Sequence, residues 1–274
     1  MKKIFTLVAI LSSGFLIAQE EEKTAGDTTR FSVAGMEFII INHDTIPAKD
    51  MENMTDEDWE DYSDNADLTY WSGFEVGVNM LMNGSFQPSF NSSHLQIDPA
   101  QSMSYSFNIF EQRIKIVKDY FGIVTGLGFT NSRYGFKDNH LRLASNADST
   151  WGMYDSTLSN GFNKNQLRLN YFNIPVLFQI NTSKNEDKNF HVSFGVIGGI
   201  RIGSKVKYKY DVFGGENDHK EKGRYNTNAF QVCATARIGF RDFGLFANYN
   251  VLSLYEYGKS ETAYPLTFGA SFHF

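Results

Sequence analysis

Six histidines and one cysteine, with scattered carboxylates, are the groups through which this chain could do acid–base or covalent work. A nucleophilic site needs Ser, His and an acid brought to one height. His191 and His273 fall near one end of their segments, while His94, His140 and His219 fall in connections at the other end and His43 in the N-terminal stretch. None of them stands beside a Ser and an acid. No GxxxxGK[ST], HExxH or paired CxxC occurs, which removes the phosphate-loop, zincin and cysteine-zinc readings. The glycine-rich GVIGGIRIG lacks the helix that a nucleotide loop needs. Asp138-Asn139, Asn146 with Asp148 and Asn217-Asp218 have oxygen ligands for calcium but no EF-hand spacing, and loop polarity explains them more simply. Cys233 lies in an alternating run and reads as a small packed side chain. The sequence therefore offers no catalytic residue, no cofactor-binding residue and no metal ligand. What it does offer is three charges among the small and polar positions of alternating segments: Glu75, Arg201 and Arg237.

Those charges are positioned by eight segments of period-2 alternation, the signature of strands with two unlike faces. Phe74, Val76, Val78 and Met80 oppose Gly73, Glu75, Gly77 and Asn79. Met103, Tyr105, Phe107 and Ile109 oppose Ser104, Ser106 and Asn108. Phe121, Ile123, Leu127 and Phe129 oppose glycines 122, 126 and 128. The fourth segment, residues 167–180, changes its apolar parity, and a bulge near Asn173 and Pro175 is expected, since proline cannot donate to the ladder. The fifth sets Phe190, Val192, Phe194, Val196, Ile200 and Ile202 against His191, Ser193 and Arg201, and continues through Val206, Tyr208 and Tyr210 with Lys205, Lys207 and Lys209 opposite. The sixth sets Phe230, Val232 and Ile238 against Gln231, Cys233 and Arg237; the seventh sets Phe243, Leu245 and Tyr249 against Gly244, Asn248 and Asn250. The eighth alternates Tyr264, Leu266, Phe268, Ala270, Phe272 and Phe274 with small or polar residues.

Alternation alone does not say which face is inside. The connections do. Long polar ones, around 81–101, 131–165, 211–227 and 252–262, alternate with short ones around 117–119, 181–189 and 241–242. That is the outer-membrane pattern of short periplasmic turns and long external loops. Each segment has about the ~9–11 residues that a tilted membrane strand requires. The aromatic end at Phe272 and Phe274 suits an interfacial girdle. A mean hydropathy of −0.34 is compatible, because only alternate residues meet lipid. The expected fold is all-β: an eight-stranded antiparallel up-and-down transmembrane β-barrel. With an even count, both termini are expected in the periplasm. Eight strands enclose a narrow bore, and the Gly, Ser, Thr and Asn of the inner set, with Glu75, Arg201 and Arg237 free to pair across it, predict a filled interior rather than a pore.

The rest of the chain has a different character. Lys2 and Lys3 precede an apolar run at 4–17 and Ala18, the pattern of a cleaved signal peptide over residues 1–18. Residues 19–67 carry fifteen acids against three bases, a net of −12, and residues 68–274 carry sixteen acids against twenty bases, a net of +4. This marks an acidic N-terminal periplasmic extension, partly disordered, with one helical start at Thr55. Within it, residues 31–41 (FSVAGMEFIII) are too apolar to float free. They read as a strand or hairpin docked on the barrel, or as a strand offered to a partner's sheet edge.

The stretch 163–210, above all NIPVLFQ at 173–179 and GVIGGIRIGS at 195–204, resembles the PorT-like outer-membrane β-barrel family of Bacteroidota, as do Tyr70-Trp71-Ser72-Gly73, residues 120–128 and the chain's ending. The resemblance covers roughly residues 68–274. It implies an eight-stranded barrel inserted by the outer-membrane assembly machinery, which recognises an aromatic-ended last strand, and it suggests a part in protein secretion. It brings no functional residues. The expected partners are outer-membrane lipid, that machinery, and a protein of an envelope complex met through residues 19–67, with no nucleic acid. The expected role is non-enzymatic, structural or interactive. The alternatives are an outer-membrane lipid-modifying or proteolytic enzyme and a narrow small-solute channel.

Overall fold

The computed structural model describes residues 28–33, 36–41, 68–117, 120–212 and 215–274, with side chains described from residue 68 on. The signal segment 1–18 and the acidic run 51–67, with its Thr55 helix start, lie outside the described residues. The chain divides into two compact units, Met1–Ser63 and Asp64–Phe274. In the first, the apolar run forms a hairpin: β1 (Thr28–Val33) pairs antiparallel with β2 (Met36–Ile41), from Thr28↔Ile41 to Val33↔Met36.

The second unit contains β3 (Gly73–Met82), β4 (Met103–Val117), β5 (Phe121–Gly135), β6 (Leu141–Ser145), β7 (Thr150–Tyr154), β8 (Lys164–Asn181), β9 (Phe190–Val212), β10 (Gly215–Lys222), β11 (Phe230–Phe240), β12 (Phe243–Asn250) and β13 (Tyr264–His273). One antiparallel sheet of nine strands runs β10-β9-β11-β12-β13-β3-β4-β5-β8, and a further β8–β9 pairing closes it on itself. The strand beyond the expected count is β10, which pairs only with the distal part of β9, from Gly215↔Val212 to Lys222↔Lys205. β6 and β7 form a separate hairpin inside the connection 131–165.

The closed wall is apolar outside and polar inside along most of its height. Phe194, Val196, Ile200, Ile174, Val176, Leu245, Ile238 and Phe268 are all exposed, whereas Asn79, Ser104, Ser106, Asn108, Asn173, Thr235 and Ser271 are buried. A water-soluble fold of this size would not leave such a continuous apolar belt outside.

The fourth segment departs from expectation in an instructive way. Register passes unbroken through Asn173↔Gly199 and Pro175↔Ile197, so no bulge lies there. Leu167, Leu169, Tyr171, Asn173, Leu177, Gln179 and Asn181 are all buried on one continuous inner face. The strand keeps its phase and the filling of the interior changes. The irregularity sits between Asn170 and Tyr171, opposite Ile202. That extra residue flips β9, so Val206 and Tyr208 turn inward and are buried, and the sequence-based grouping of Val206 and Tyr208 with Phe194 is corrected. Lys205, Lys207 and Lys209 pass to the outer face for the same reason.

Above this level the molecule has an ordinary dry core. Leu81, Leu95, Tyr134, Phe136, Leu141, Leu143, Leu167, Tyr208, Leu254 and Tyr255 pack together, drawn from strand ends and from connections expected to be loops. A second, smaller cluster sits inside the wall: Trp71, Val124, Leu177, Ile197 and Cys233.

Candidate functional site

The interior is filled from below by the residues that precede β3. Leu68, Tyr70, Trp71 and Ser72 are all buried. Gln179 Nε2 donates to the Leu68 carbonyl at 2.6 Å and Asn181 Nδ2 at 3.2 Å. The backbone N–H groups of Trp71 and Ser72 both donate to Glu111 Oε2, at 2.7 and 2.9 Å. Trp71 Nε1 donates to the Leu127 carbonyl at 3.3 Å. Two N–H donors satisfy this part-buried carboxylate on the inner face of the wall. The indole lies so close to β5 that a Cβ at Gly126 would stand 2.6 Å from Trp71 Cδ1. Glycine is needed there for the approach, not for its backbone angles.

Glu75 and Arg237, two of the three charges singled out in the sequence, do meet. Arg237 Nη1 reaches Glu75 Oε1 at 2.5 Å and both side chains are almost wholly buried. Asn108 Nδ2 donates to the same oxygen at 3.0 Å, and the guanidinium lies over the Trp71 ring at 4.8 Å. A buried charge pair is kept only when geometry and added hydrogen bonds offset desolvation, and this one is surrounded by such partners. Arg201 takes no part in it. It is half-buried and donates to the Thr227 carbonyl at 2.7 Å and to the Arg224 carbonyl at 3.3 Å. Its expected role as a charge paired across the bore is corrected: it fastens the connection ahead of β11.

The space left around Glu75, Ser106, Thr130, Asn173 and Gln231 is a cavity of about 40 Å³. That has room for only a few waters. At the end of the strands where residues 68–72 enter, Phe272 and Phe274 are exposed; Phe272 stands in a cross-strand row with Phe240, Phe243, Phe74 and Phe107, and Phe274 lies 6.3 Å from Phe107.

One pair was missed in the sequence. Ser271 Oγ and His273 Nε2 lie 3.0 Å apart, because the i, i+2 spacing on β13 places them on one inner face. His273 Nδ1 has no partner, and no carboxylate orients the ring, so the third member of a nucleophilic triad is wanting among the described residues. Nearby His191 stacks face to face on Tyr70 at 3.7 Å. The pair acts as packing around the entering chain.

In the distal core, His94 is buried beside Ser260, with Nε2 and Oγ 2.8 Å apart. Burial holds its pKa down to about 4, against a smaller upward pull from Glu261. The Asp/Asn clusters make turns: Asp138 Oδ1 accepts from His140 N, and Asn146 Oδ1 from Asp148 N, each at 2.9 Å. Among the described residues, no three His, Cys, Asp or Glu side chains converge as metal ligands. A cleft of about 230 Å³ opens between Arg142, Asp155, Phe162, Tyr208 and Tyr210.

The sequence matches the family profile described as outer membrane protein beta-barrel domain over residues 62–255. Two solved structures of Ail, the attachment invasion locus protein of Yersinia pestis, are similar at 12% identity over 74% of this chain. The structure of Ail by itself is matched over 99% of its chain with a TM-score of 0.30, and that of Ail in complex with the heparin analogue sucrose octasulfate over 96% with a TM-score of 0.28. No curated protein matches the sequence.

Proposed function

The chain belongs to the family of outer membrane protein beta-barrel domains, and from that premise we propose that it spans the bacterial outer membrane with an eight-stranded barrel whose work is structural and interactive rather than catalytic. The observation that carries this reading is the inversion of the wall. The same strands that bury Glu75, Asn108 and Arg237 expose Val196, Ile200, Leu245 and Phe268. Lipid is the solvent in which that arrangement is stable.

The lumen argues against the alternatives. A cavity of about 40 Å³ speaks against a channel. The Ser271–His273 pair lacks an orienting acid and lies buried, out of reach of a substrate. The kinship to PorT-like barrels, the signal peptide at 1–18, both termini in the periplasm, and insertion by the outer-membrane assembly machinery extend the same reading.

For the extension at 19–67 we propose recruitment of a protein of an envelope or secretion complex. Its net charge of −12 and its β1–β2 hairpin support this. The test is affinity capture from detergent extracts with the full chain and with a chain lacking residues 19–67. A partner captured by the first and lost by the second is expected. Identical captures would sink the recruitment role. Planar-bilayer recordings should show no conductance above background, and turnover of reporter esters by the purified barrel would favour the enzyme instead.

A further inference from the structure

The two outward faces of the wall differ just beyond the apolar belt. On the short wall of β12, β13 and β3 the outward positions there are Tyr249, Tyr264 and Met80, with Phe86 packed on Tyr249 at 5.6 Å. On the tall wall, a single cross-strand row reads Arg133↔Arg168, Arg168↔Lys205 and Lys205↔Lys222. Directly opposite side chains on one face stand about 5 Å apart, and like charges so placed repel.

The rows further out are different. Lys207 pairs with Asp218 at 2.5 Å, Lys220 lies 3.8 Å from Asp218, and Lys209 pairs with Glu216. The row nearest the belt has no acid at ion-pair distance among the described residues. Arg133 donates to Asn131 Oδ1 at 2.8 Å and lies over the Tyr105 ring at 4.5 Å. Arg168 donates to Gln166 Oε1 at 3.1 Å, and its Nε is buried without a partner. Neutral contacts hold the guanidiniums in place and leave their charge unanswered.

Height identifies the missing anion. Arg133 and Arg168 stand four residues beyond Phe129 and Phe172, the last aromatics of the belt on their strands. Four residues at roughly 3.3 Å each on a strand tilted by about 40° place them roughly 10 Å above the hydrocarbon, at headgroup level. Three inter-strand gaps of about 4.8 Å make the row about 14 Å long, more than one phosphate can fill.

We infer that the Arg133–Arg168–Lys205–Lys222 row is a docking surface for the phosphates of a membrane glycolipid headgroup that carries more than one of them. The inference rests on the membrane-spanning reading. Bound lipid supplies the counter-charge that acids supply to the rows above, and it attaches to one side of the barrel only.

The test uses the full chain inserted into nanodiscs of phosphatidylcholine, with and without diphosphoryl lipid A, followed by extraction and native mass spectrometry. The wild type is expected to keep lipid A over phosphatidylcholine. Arg133→Gln, Arg168→Gln, Lys205→Gln and Lys222→Gln are each expected to weaken retention about fivefold, the factor for one juxtamembrane charge, and the fourfold variant to abolish it. Lys207→Gln with Lys209→Gln, whose lysines already have acids, should retain lipid A like the wild type. Retention by the fourfold variant equal to wild type overturns the inference. So does full displacement by inorganic phosphate at matched phosphate concentration, which would mark a free-anion site. A chain that shows strand circular dichroism in neither nanodisc fails the membrane reading itself, which is a separate result from a chain that inserts and keeps no lipid.

Discussion

β8 passes through two regions built on opposite rules without changing its phase. Below Asn170 it shows Ile174, Val176 and Phe178 outward and Asn173, Gln179 and Asn181 inward. Above, Leu167 and Leu169 face inward and Arg168 and Lys164 face out. One half is a protein turned inside out and the other is an ordinary one, joined along β8 by a register to β5 that does not shift. Apolar periodicity therefore marks the dry side of a strand, not the inner side.

If the distal half has a conventional core, Phe136→Ala should cost about 3–5 kcal/mol there. The connection 137–163 should become sensitive to limited proteolysis while the membrane half keeps its heat-modifiable mobility on gels. Loss of both together would mean that the two regions are one cooperative unit. In the inverted half, Glu75→Ala leaves Arg237 buried and alone, for about 3–5 kcal/mol. Adding Arg237→Leu should recover most of that, read as the urea midpoint of lipid-refolded protein.

The outer surface sharpens the contrast along one strand. Val196→Arg, in the middle of the belt, should cost about 2–4 kcal/mol and reduce assembly into membranes, whereas Lys207 already carries a cation on the outer face. Acid should act on the distal half. His94 is neutral in the fold, with its pKa lowered to about 4, and protonates near 6.5 when unfolded. Stability should hold above about pH 6.5, fall as pH drops toward 4 by up to about 3 kcal/mol, and level off below that. His94→Gln should flatten that slope. The smallest effect belongs to Lys207→Leu, which removes a surface ion pair and should shift stability by under about 1 kcal/mol.

The wall was legible because each of its strands sets apolar against small or polar residues, and Glu75 and Arg237 stood out as lone charges in such runs. Other features left no such mark. β10 is wholly exposed and has no apolar residue, and backbone pairing and ion pairs to β9 hold it, so no apolar alternation announces it. Glu111 was missed because the bulge between Asn108 and Phe110 swaps the faces of β4, which carries the carboxylate from the expected outer parity into the bore. The single extra residue at Ile202 did the same to Val206, Tyr208 and the three lysines. A two-face pattern survives any number of such slips while the assignment of faces does not. The distal core draws on Leu143, Leu254 and Tyr255 from polar-looking connections, where isolated apolar residues give no period to read.

Residues 68–72 run inside the ring before the wall begins, and this fixes a load path. Tension along the polypeptide from its N-terminal side arrives first at the Leu68 carbonyl, held by Gln179 and Asn181 of β8, and at the N–H pair held by Glu111 of β4. Those bonds are loaded in shear before the ladder of β3 feels any pull. A tether anchored this way resists being drawn out like a knot behind a hole.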